Sequence, residues 1–198
     1  MFRIRMASND DLSDIHHTDP NYVAPEKKSI QQILETDKGD ESLEKYKATL
    51  LGANLGDAIV DATDPRVVLL TNISLLVDRK PKISMDLTKS SNLDQIVFKI
   101  KEGTHYQLQL NFYVQREIVT GMKYIHKVYK GPISVDKDSF MIGSYAPKKE
   151  VHSYSTPVEE APSGMLHRGK YKVKSRITDD DGHNWLEWNW TLEIAKDW

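Results

Sequence analysis

The stretch from Tyr106 to Ile125, YQLQLNFYVQREIVTGMKYI, constrains the fold of this chain more than any other. Apolar or aromatic residues occupy every second position of its first half: Tyr106, Leu108, Leu110, Phe112 and Val114. The positions between them are predicted to face water: Gln107, Gln109, Asn111, Tyr113 and Gln115. A period of two is typical of a β-strand with one packed face and one solvated face.

The second half of this stretch has strand composition again, from Ile118 to Lys130. The charged pair Arg116-Glu117 predicts the connection between two paired strands. Two paired strands cannot bury a whole apolar face by themselves, so further strands are expected to pack over them. These two strands are therefore predicted to form the central sheet of a β-sandwich.

Other segments supply further strands with turn signals between them, such as Asp179–Gly182. The predicted strands are Val67–Val77, Ile83–Leu87, Gln95–Lys101, Ser134–Ile142, Val151–Thr156, Arg168–Thr178 and Trp185–Ile194. Short strands at this spacing, without alternating helices, indicate a mainly β fold. We predict an immunoglobulin-like antiparallel β-sandwich over residues 66–198.

The N-terminal part differs from this pattern and is predicted to be a flexible arm over residues 1–52, partly disordered and partly helical. Ser29 and Gln32 fit a capping box, and Gly39 and Gly52 fit helix C-termini, so a helical hairpin is expected over about 29–51. Such short helices are unstable alone. Either the sandwich or a partner protein could supply the surface they need. Residues 53–65 are predicted to form a linker.

Composition excludes several classes of protein. A formal net charge of −2 does not indicate a nucleic-acid binder, and the absence of cysteine excludes disulfides and thiolate metal sites. No apolar run reaches the ~20 residues of a membrane-spanning helix. The first residues lack the apolar core of a secretory signal. These features together predict a cytosolic protein.

No catalytic constellation is found, so we predict no enzyme, no cofactor and no metal. The seven histidines lack metal-ligand spacing and are expected on the surface. Glu159 and Glu160 are interpreted as an acidic surface that receives a basic partner. Trp188 and Trp190 share one face of a strand, where core filling is favoured over the lining of a ligand cavity.

Several long segments closely resemble the Rho GDP-dissociation inhibitors. They are KSIQQILETDKGDESLEKYKATLLG (28–52), VQREIVTGMKYI (114–125), MIGSYAPK (141–148), STPVEEAPSGMLHRGKY (155–171), SRITDDD (175–181) and WNWTLEIAKDW (188–198). The resemblance covers residues 21–198 in order and almost without gaps. It implies a monomeric, non-enzymatic protein that forms a 1:1 heterodimer with a prenylated, mainly GDP-bound Rho-type GTPase and keeps it in the cytosol.

The resemblance also implies roles for individual residues. The arm is expected to bind the GTPase switch regions and slow nucleotide release through Tyr22, Ser29, Asp40, Ser42 and Tyr46. The geranylgeranyl group is expected between the two sheets, in a cavity formed by Ile73, Leu75, Phe98, Tyr106, Ile118, Phe140, Trp190 and Leu192. The basic tail of the GTPase is expected on an acidic patch formed by Asp136, Glu159, Glu160 and Asp181.

Two other functions are weighed against this one. A general prenyl-binding factor that solubilises lipidated proteins would share the sandwich but lack the helical arm, so the segment 28–52 argues against it. An enzyme on a sandwich scaffold would need a polar cluster that the sequence does not show. The chain departs from the family at Val97 and Lys170, where phosphorylatable serines often stand, so regulation by phosphorylation at those positions is not expected.

Overall fold

The computed structural model describes Leu12, residues 58–88 and residues 93–198. The predicted hairpin at 29–51 lies outside the described residues, as do the arm residues Tyr22, Ser29, Asp40, Ser42 and Tyr46. Leu12 is buried, with 2% of its surface exposed. Within the described residues, no helix is long and apolar enough to cross a membrane.

The described part of the chain is built from strands in two sheets. The strands are β1 Val68–Val77, β2 Lys80–Asp86, β3 Val97–Lys101, β4 His105–Val114, β5 Val119–Lys130, β6 Ile133–Tyr145, β7 His152–Ser155, β8 Glu159–Glu160, β9 Gly169–Thr178 and β10 Asn184–Ala195. One sheet has the order β2-β1-β4-β7, with β8 also paired to β4, and the other has the order β3-β10-β9-β5-β6. All pairs are antiparallel except β3 with β10. The predicted β-sandwich is confirmed.

The core lies between the two sheets and follows the predicted alternation. It contains Ile73 and Leu110 from one sheet and Tyr124 and Trp190 from the other. The inward positions of β4 from Leu108 to Val114 are buried, and so are the alternate positions of β10 from Trp188 to Ile194. The period of two therefore identified the packed faces of both strands correctly.

The predicted pairing of the two central strands is wrong. β4 pairs with β1, β7 and β8, whereas β5 pairs with β6 and β9 in the other sheet. The pair Arg116-Glu117 carries the chain from one sheet to the other, and Arg116 adopts a left-handed backbone (φ 71°) at this corner. Two adjacent strands with a short connection can pair or can cross between sheets, and alternation alone does not distinguish the two.

Gln115 also differs from its prediction. It was expected to face water, yet 0% of its surface is exposed. Its side-chain oxygen accepts hydrogen bonds from the backbone amides of Val60 and Asp61, both at 3.1 Å. Its amide nitrogen donates to the carbonyls of Asp64 (2.9 Å) and Arg66 (2.7 Å). This one side chain fastens residues 60–66, which enter the sandwich, to the end of β4.

Candidate functional site

A cleft opens between the sheets at one end of the sandwich. Ten residues line it: Tyr106 and Leu108 of β4, His126 and Val128 of β5, Asp136 of β6, Tyr171 and Val173 of β9, and Trp190, Leu192 and Ile194 of β10. Nearly all are two residues apart on their strands, because alternate side chains share a face. The cleft is therefore mostly apolar, with His126 and Asp136 as charged or titratable groups in its wall.

The cleft is nearly filled by its own side chains, and its cavity volume of about 20 Å³ has room for little more than one water molecule. Its inner wall is already packed, since Tyr171, Trp190 and Leu192 are all buried. The ring of Trp190 lies 5.0 Å from that of Phe98, centre to centre. A long apolar ligand would have to displace these side chains in order to enter between the sheets.

The predicted cavity residues fall into separate groups. Tyr106, Trp190 and Leu192 line the cleft. Ile73, Leu75 and Phe98 are fully buried core residues outside its lining. Ile118 lies in the crossover before β5, and Phe140 packs on the edge of the core with its ring 5.7 Å from that of His126. Periodicity identifies an inward face but does not tell how far along the strand the cleft reaches.

Seven lining residues were not among the predicted cavity residues: Leu108, His126, Val128, Asp136, Tyr171, Val173 and Ile194. Of these, Asp136 had been assigned to the acidic patch. Leu108 lies on the face that the alternation of residues 106–114 predicts to be packed. Tyr171 and Val173 alternate with Lys170 and Lys172 in the same way, and Ile194 lies on the same face of its strand as Trp188 and Trp190. The surface location expected for all histidines is wrong for His126, which is 5% exposed, and for His152, which is also buried.

Acidic groups gather at the mouth of the cleft. The hydroxyl of Tyr106 donates a hydrogen bond of 2.8 Å to Glu159, and burial raises the pKa of Tyr106 well above its usual value. Burial also raises the pKa of Glu159 and of Asp136. The charge of Asp138 raises both of these pKa values further. The mouth therefore carries partly desolvated carboxylates that a positive charge would stabilise.

Of the other two predicted members of the acidic patch, Glu160 lies next to this group and Asp181 lies far from it. Glu160 is exposed next to Glu159, with a carboxylate oxygen 4.0 Å from Nε2 of His105. Asp181 lies in the turn after β9, whereas Asp136 is level with Val173, since both pair with Val128. From Val173 to the end of β9 the chain covers about 17 Å at ~3.3 Å per residue. The structure does not bring Asp181 together with the rest.

Two groups of side chains in residues 58–88 and 93–198 could hold a metal ion. The first is His126, Asp136 and Asp138, and the second is Asp179, Asp181 and His183; in each, the ligand atoms lie within 4.8 Å of one another. In the second group, Nδ1 of His183 is already 2.8 Å from Asp179, which also accepts a hydrogen bond from the His183 amide. That contact stabilises the β9–β10 turn.

Comparison with known proteins gives consistent matches. The sequence profile of the family described as "RHO protein GDP dissociation inhibitor" matches residues 7–197. The "Probable rho GDP-dissociation inhibitor" of Caenorhabditis elegans is 47% identical over 193 residues, which cover 94% of this chain and 100% of that protein. "Rho GDP-dissociation inhibitor 1" of Homo sapiens is 46% identical over 182 residues, 90% of this chain and 87% of that protein.

A further relative and one solved structure complete the comparison. "Rho GDP-dissociation inhibitor 3" of Mus musculus is 45% identical over 183 residues, 90% of this chain and 79% of that protein. A crystal structure of a Niemann-Pick type C2 protein from Japanese carpenter ant aligns with a TM-score of 0.41 and 9% identity, over 69% of this chain and 99% of that chain. This last similarity is too weak to support any inference.

Proposed function

This chain belongs to the Rho GDP-dissociation inhibitor family, and we propose that it binds prenylated Rho-type GTPases, slows their release of GDP and extracts them from membranes. The observation that carries the proposal is the cleft between the sheets, which combines apolar walls with carboxylates at its mouth. A prenyl chain would enter the apolar part, and the basic segment next to it would meet the carboxylates.

The lipid step can compete with a membrane only if the cleft becomes as apolar as lipid. Burial yields ~0.8 kcal/mol per methylene, so a geranylgeranyl chain of about 20 carbons gains on the order of 10 kcal/mol or more before costs. One cost is the displacement of Tyr171, Trp190 and Leu192, which are buried against each other's strands before the lipid enters. The net affinity depends on how easily these side chains rearrange.

The carboxylates at the mouth of the cleft would replace the electrostatic attraction between the basic segment of a prenylated GTPase and anionic lipid. A basic segment near anionic lipid gains ~1 kcal/mol per Lys or Arg. Asp136 and Glu159 are partly desolvated, so a basic segment placed beside them replaces that gain and stabilises their charged forms. Glu160 extends the same surface, while Asp181 is far enough away that it would contact a different part of the partner.

The arm completes the proposed mechanism. Residues 1–52 would fold on the switch regions of the GTPase, with contacts from Tyr22, Ser29, Asp40, Ser42 and Tyr46. Because Gln115 fastens residues 60–66 to β4, the arm and the linker extend from a fixed point on the sandwich. One chain then engages one GTPase at two places in the cytosol, and the two contacts reinforce each other through their effective concentration.

The test uses the full chain and liposomes that carry a geranylgeranylated, GDP-loaded Rho-type GTPase. We expect the GTPase to move into the supernatant after sedimentation, and its release of a fluorescent GDP analogue to slow. A geranylgeranylated protein that is not a Rho-type GTPase serves as the control. Equal extraction of both proteins without slower GDP release would favour the general prenyl-binding factor, and failure of both extraction and slowing would overturn the proposal.

A further inference from the structure

His126, Asp136 and Asp138 lie together on two neighbouring strands at the mouth of the cleft. His126 on β5 is the direct cross-strand partner of Asp138 on β6, and Asp136 pairs with Val128, two residues further along β5. Side chains two residues apart on paired strands share one face of the sheet. The possible ligand atoms of the three residues lie within 4.8 Å of one another.

One ring nitrogen of His126, Nδ1, is buried without a hydrogen-bond partner among the residues that the structure describes. Buried polar atoms are nearly always paired, so the unpaired nitrogen of this buried ring requires an explanation. The same ring offers a nitrogen within 4.8 Å of a carboxylate oxygen of each aspartate. A neutral imidazole keeps a lone pair on its unprotonated nitrogen, and that lone pair can bind a cation.

The carboxylates of Asp136 and Asp138 are a second observation that favours a bound cation. Asp136 accepts one hydrogen bond, from the amide of Lys137 at 2.9 Å, and both aspartates are half-buried. One carboxylate oxygen of each lies within 4.8 Å of the other, so their negative charges repel each other. A cation between the two carboxylates would remove this repulsion and offset their desolvation.

We propose that His126, Asp136 and Asp138 form a binding site for a divalent transition-metal cation, with Zn²⁺ as its first candidate. One neutral nitrogen and two carboxylate oxygens suit Zn²⁺, which binds such atoms at about 2.0–2.2 Å, whereas Ca²⁺ and Mg²⁺ prefer oxygen alone. Two ligands of one ion lie at most ~4 Å apart at these bond lengths, so small rotations of the aspartates would close the site. The fourth position would face the cleft mouth and take water or a group from a partner.

The surroundings of His126 differ from those of His152 and His183. Nε2 of His152 is also buried and unpaired, but its ring packs between Phe112 and Tyr145, with centroids at 5.4 Å and 4.6 Å. Nδ1 of His183 already contacts Asp179 at 2.8 Å. Only His126 combines an unpaired buried nitrogen with two nearby carboxylates among the residues described.

The test is a calorimetric titration of the metal-free full chain with ZnCl₂ at pH 7.5. We expect one strong equivalent, weakened by about 100-fold or more in His126→Gln and in Asp138→Asn, because each removes one of three ligands. His183→Gln is the matched control and should keep that equivalent. Unchanged binding in His126→Gln and Asp138→Asn would overturn the site and assign the metal to exposed histidines.

A second measurement locates the ion without relying on a variant that must fold. Mn²⁺ broadens the NMR signals of nearby groups, so the methyl signals of Val128, which lies on β5 opposite Asp136 and two residues from His126, should broaden. Those of Val119, seven residues from His126 at the start of β5 and about 23 Å away at ~3.3 Å per residue, should stay much sharper. Broadening at Val119 but not at Val128 would contradict the site. Neither measurement requires a GTPase, so the site can fail while the proposed function stands, and the reverse also holds.

Discussion

The hydroxyl of Tyr106 donates a 2.8 Å hydrogen bond to the carboxylate of Glu159, which is its cross-strand partner on β8. Tyr106 was expected in the lipid cavity and Glu159 on the acidic surface. The bond therefore joins the apolar wall of the cleft to its charged mouth. A ligand that moves the Tyr106 ring also changes the environment of the carboxylate that would receive the basic segment.

Removal of this hydrogen bond should destabilise the sandwich. In Tyr106→Phe, Glu159 stays partly buried but loses its donor, so the free energy of unfolding should fall by about 1–2 kcal/mol. Urea denaturation measures the change. Tyr113→Phe, on the opposite face of the same strand, is the control. Equal losses in both variants would show that the bond to Glu159 contributes nothing specific.

Ser175 should contribute more to stability than its size suggests. Its hydroxyl is buried, with 0% of the residue exposed, accepts from Nε1 of Trp190 at 2.9 Å and lies 3.0 Å from the hydroxyl of Tyr124. In Ser175→Ala, the indole N–H of Trp190 and the hydroxyl of Tyr124 stay buried without this partner, so the free energy of unfolding should fall by about 2–4 kcal/mol. Denaturation followed by tryptophan fluorescence measures it, with the exposed Ser139→Ala as the control. A loss no larger than that of the control would contradict the prediction.

Gln115 should control the segment that leads into the sandwich. Gln115→Leu keeps the volume approximately but removes all four hydrogen bonds to residues 60–66. We expect faster amide hydrogen exchange at Val60 and Asp61, because their amides then open to solvent more often. Gln109→Leu, on the outer face of β4, is the control. Unchanged exchange at these two amides would show that another contact holds the segment.

Part of the loss of stability at acidic pH should come from His152. Burial, first, and the charge of Lys148 lower the pKa of His152 in the folded state. The unfolded state then binds the proton more readily, so stability falls as pH drops below the unfolded pKa of about 6.5. His152→Gln cannot take up this proton, and its loss of stability between pH 7.5 and 5.5 should be smaller than that of the unchanged chain.

Denaturation at the two pH values tests this prediction. Lys148→Gln removes the second cause of the lowered pKa, so it should also reduce the loss of stability at pH 5.5, although by less than His152→Gln does. An identical pH dependence in the chain with and without His152 would contradict the assignment.

The cleft itself should be required for extraction but not for the contact of the arm. Val128→Phe adds a ring to the apolar wall, which leaves less room for a prenyl chain. Extraction of the prenylated GTPase from liposomes should fall at least ~10-fold, a loss of ~1.4 kcal/mol or more. Slowing of GDP release from an unprenylated GTPase should not change. Ile133→Phe, at an exposed position of β6, is the control.

Loss of both activities in Val128→Phe together with a lowered melting temperature would indicate general destabilisation. Leu192→Phe then repeats the test from the opposite strand. Full extraction by both folded variants would show that the prenyl chain binds elsewhere.

Sequence alone was sufficient for the parts of the fold that depend on local pattern. The alternation in β4 and β10 identified their buried faces, because side chains of a strand alternate whatever the strand pairs with. Long motifs in both halves of the chain are sufficient to identify the family. The acidic pair Glu159-Glu160 is predicted from sequence to form an acidic surface, but only Glu160 is exposed, and Glu159 is half-buried with a hydrogen bond to Tyr106.

Tertiary structure decided what depends on contacts between distant segments. The crossover at Arg116 places β4 and β5 in different sheets, and the same charged pair could equally have closed a hairpin. Gln115 and His126 look like surface residues in sequence, yet each is buried because the chain around it supplies walls from other strands. Tyr106 lines the cleft, whereas Ile73 on the neighbouring strand lies in the closed core. How far a residue lies from the cleft is determined only when the two sheets pack. Local periodicity fixes which way a side chain points, and only packing determines what it meets.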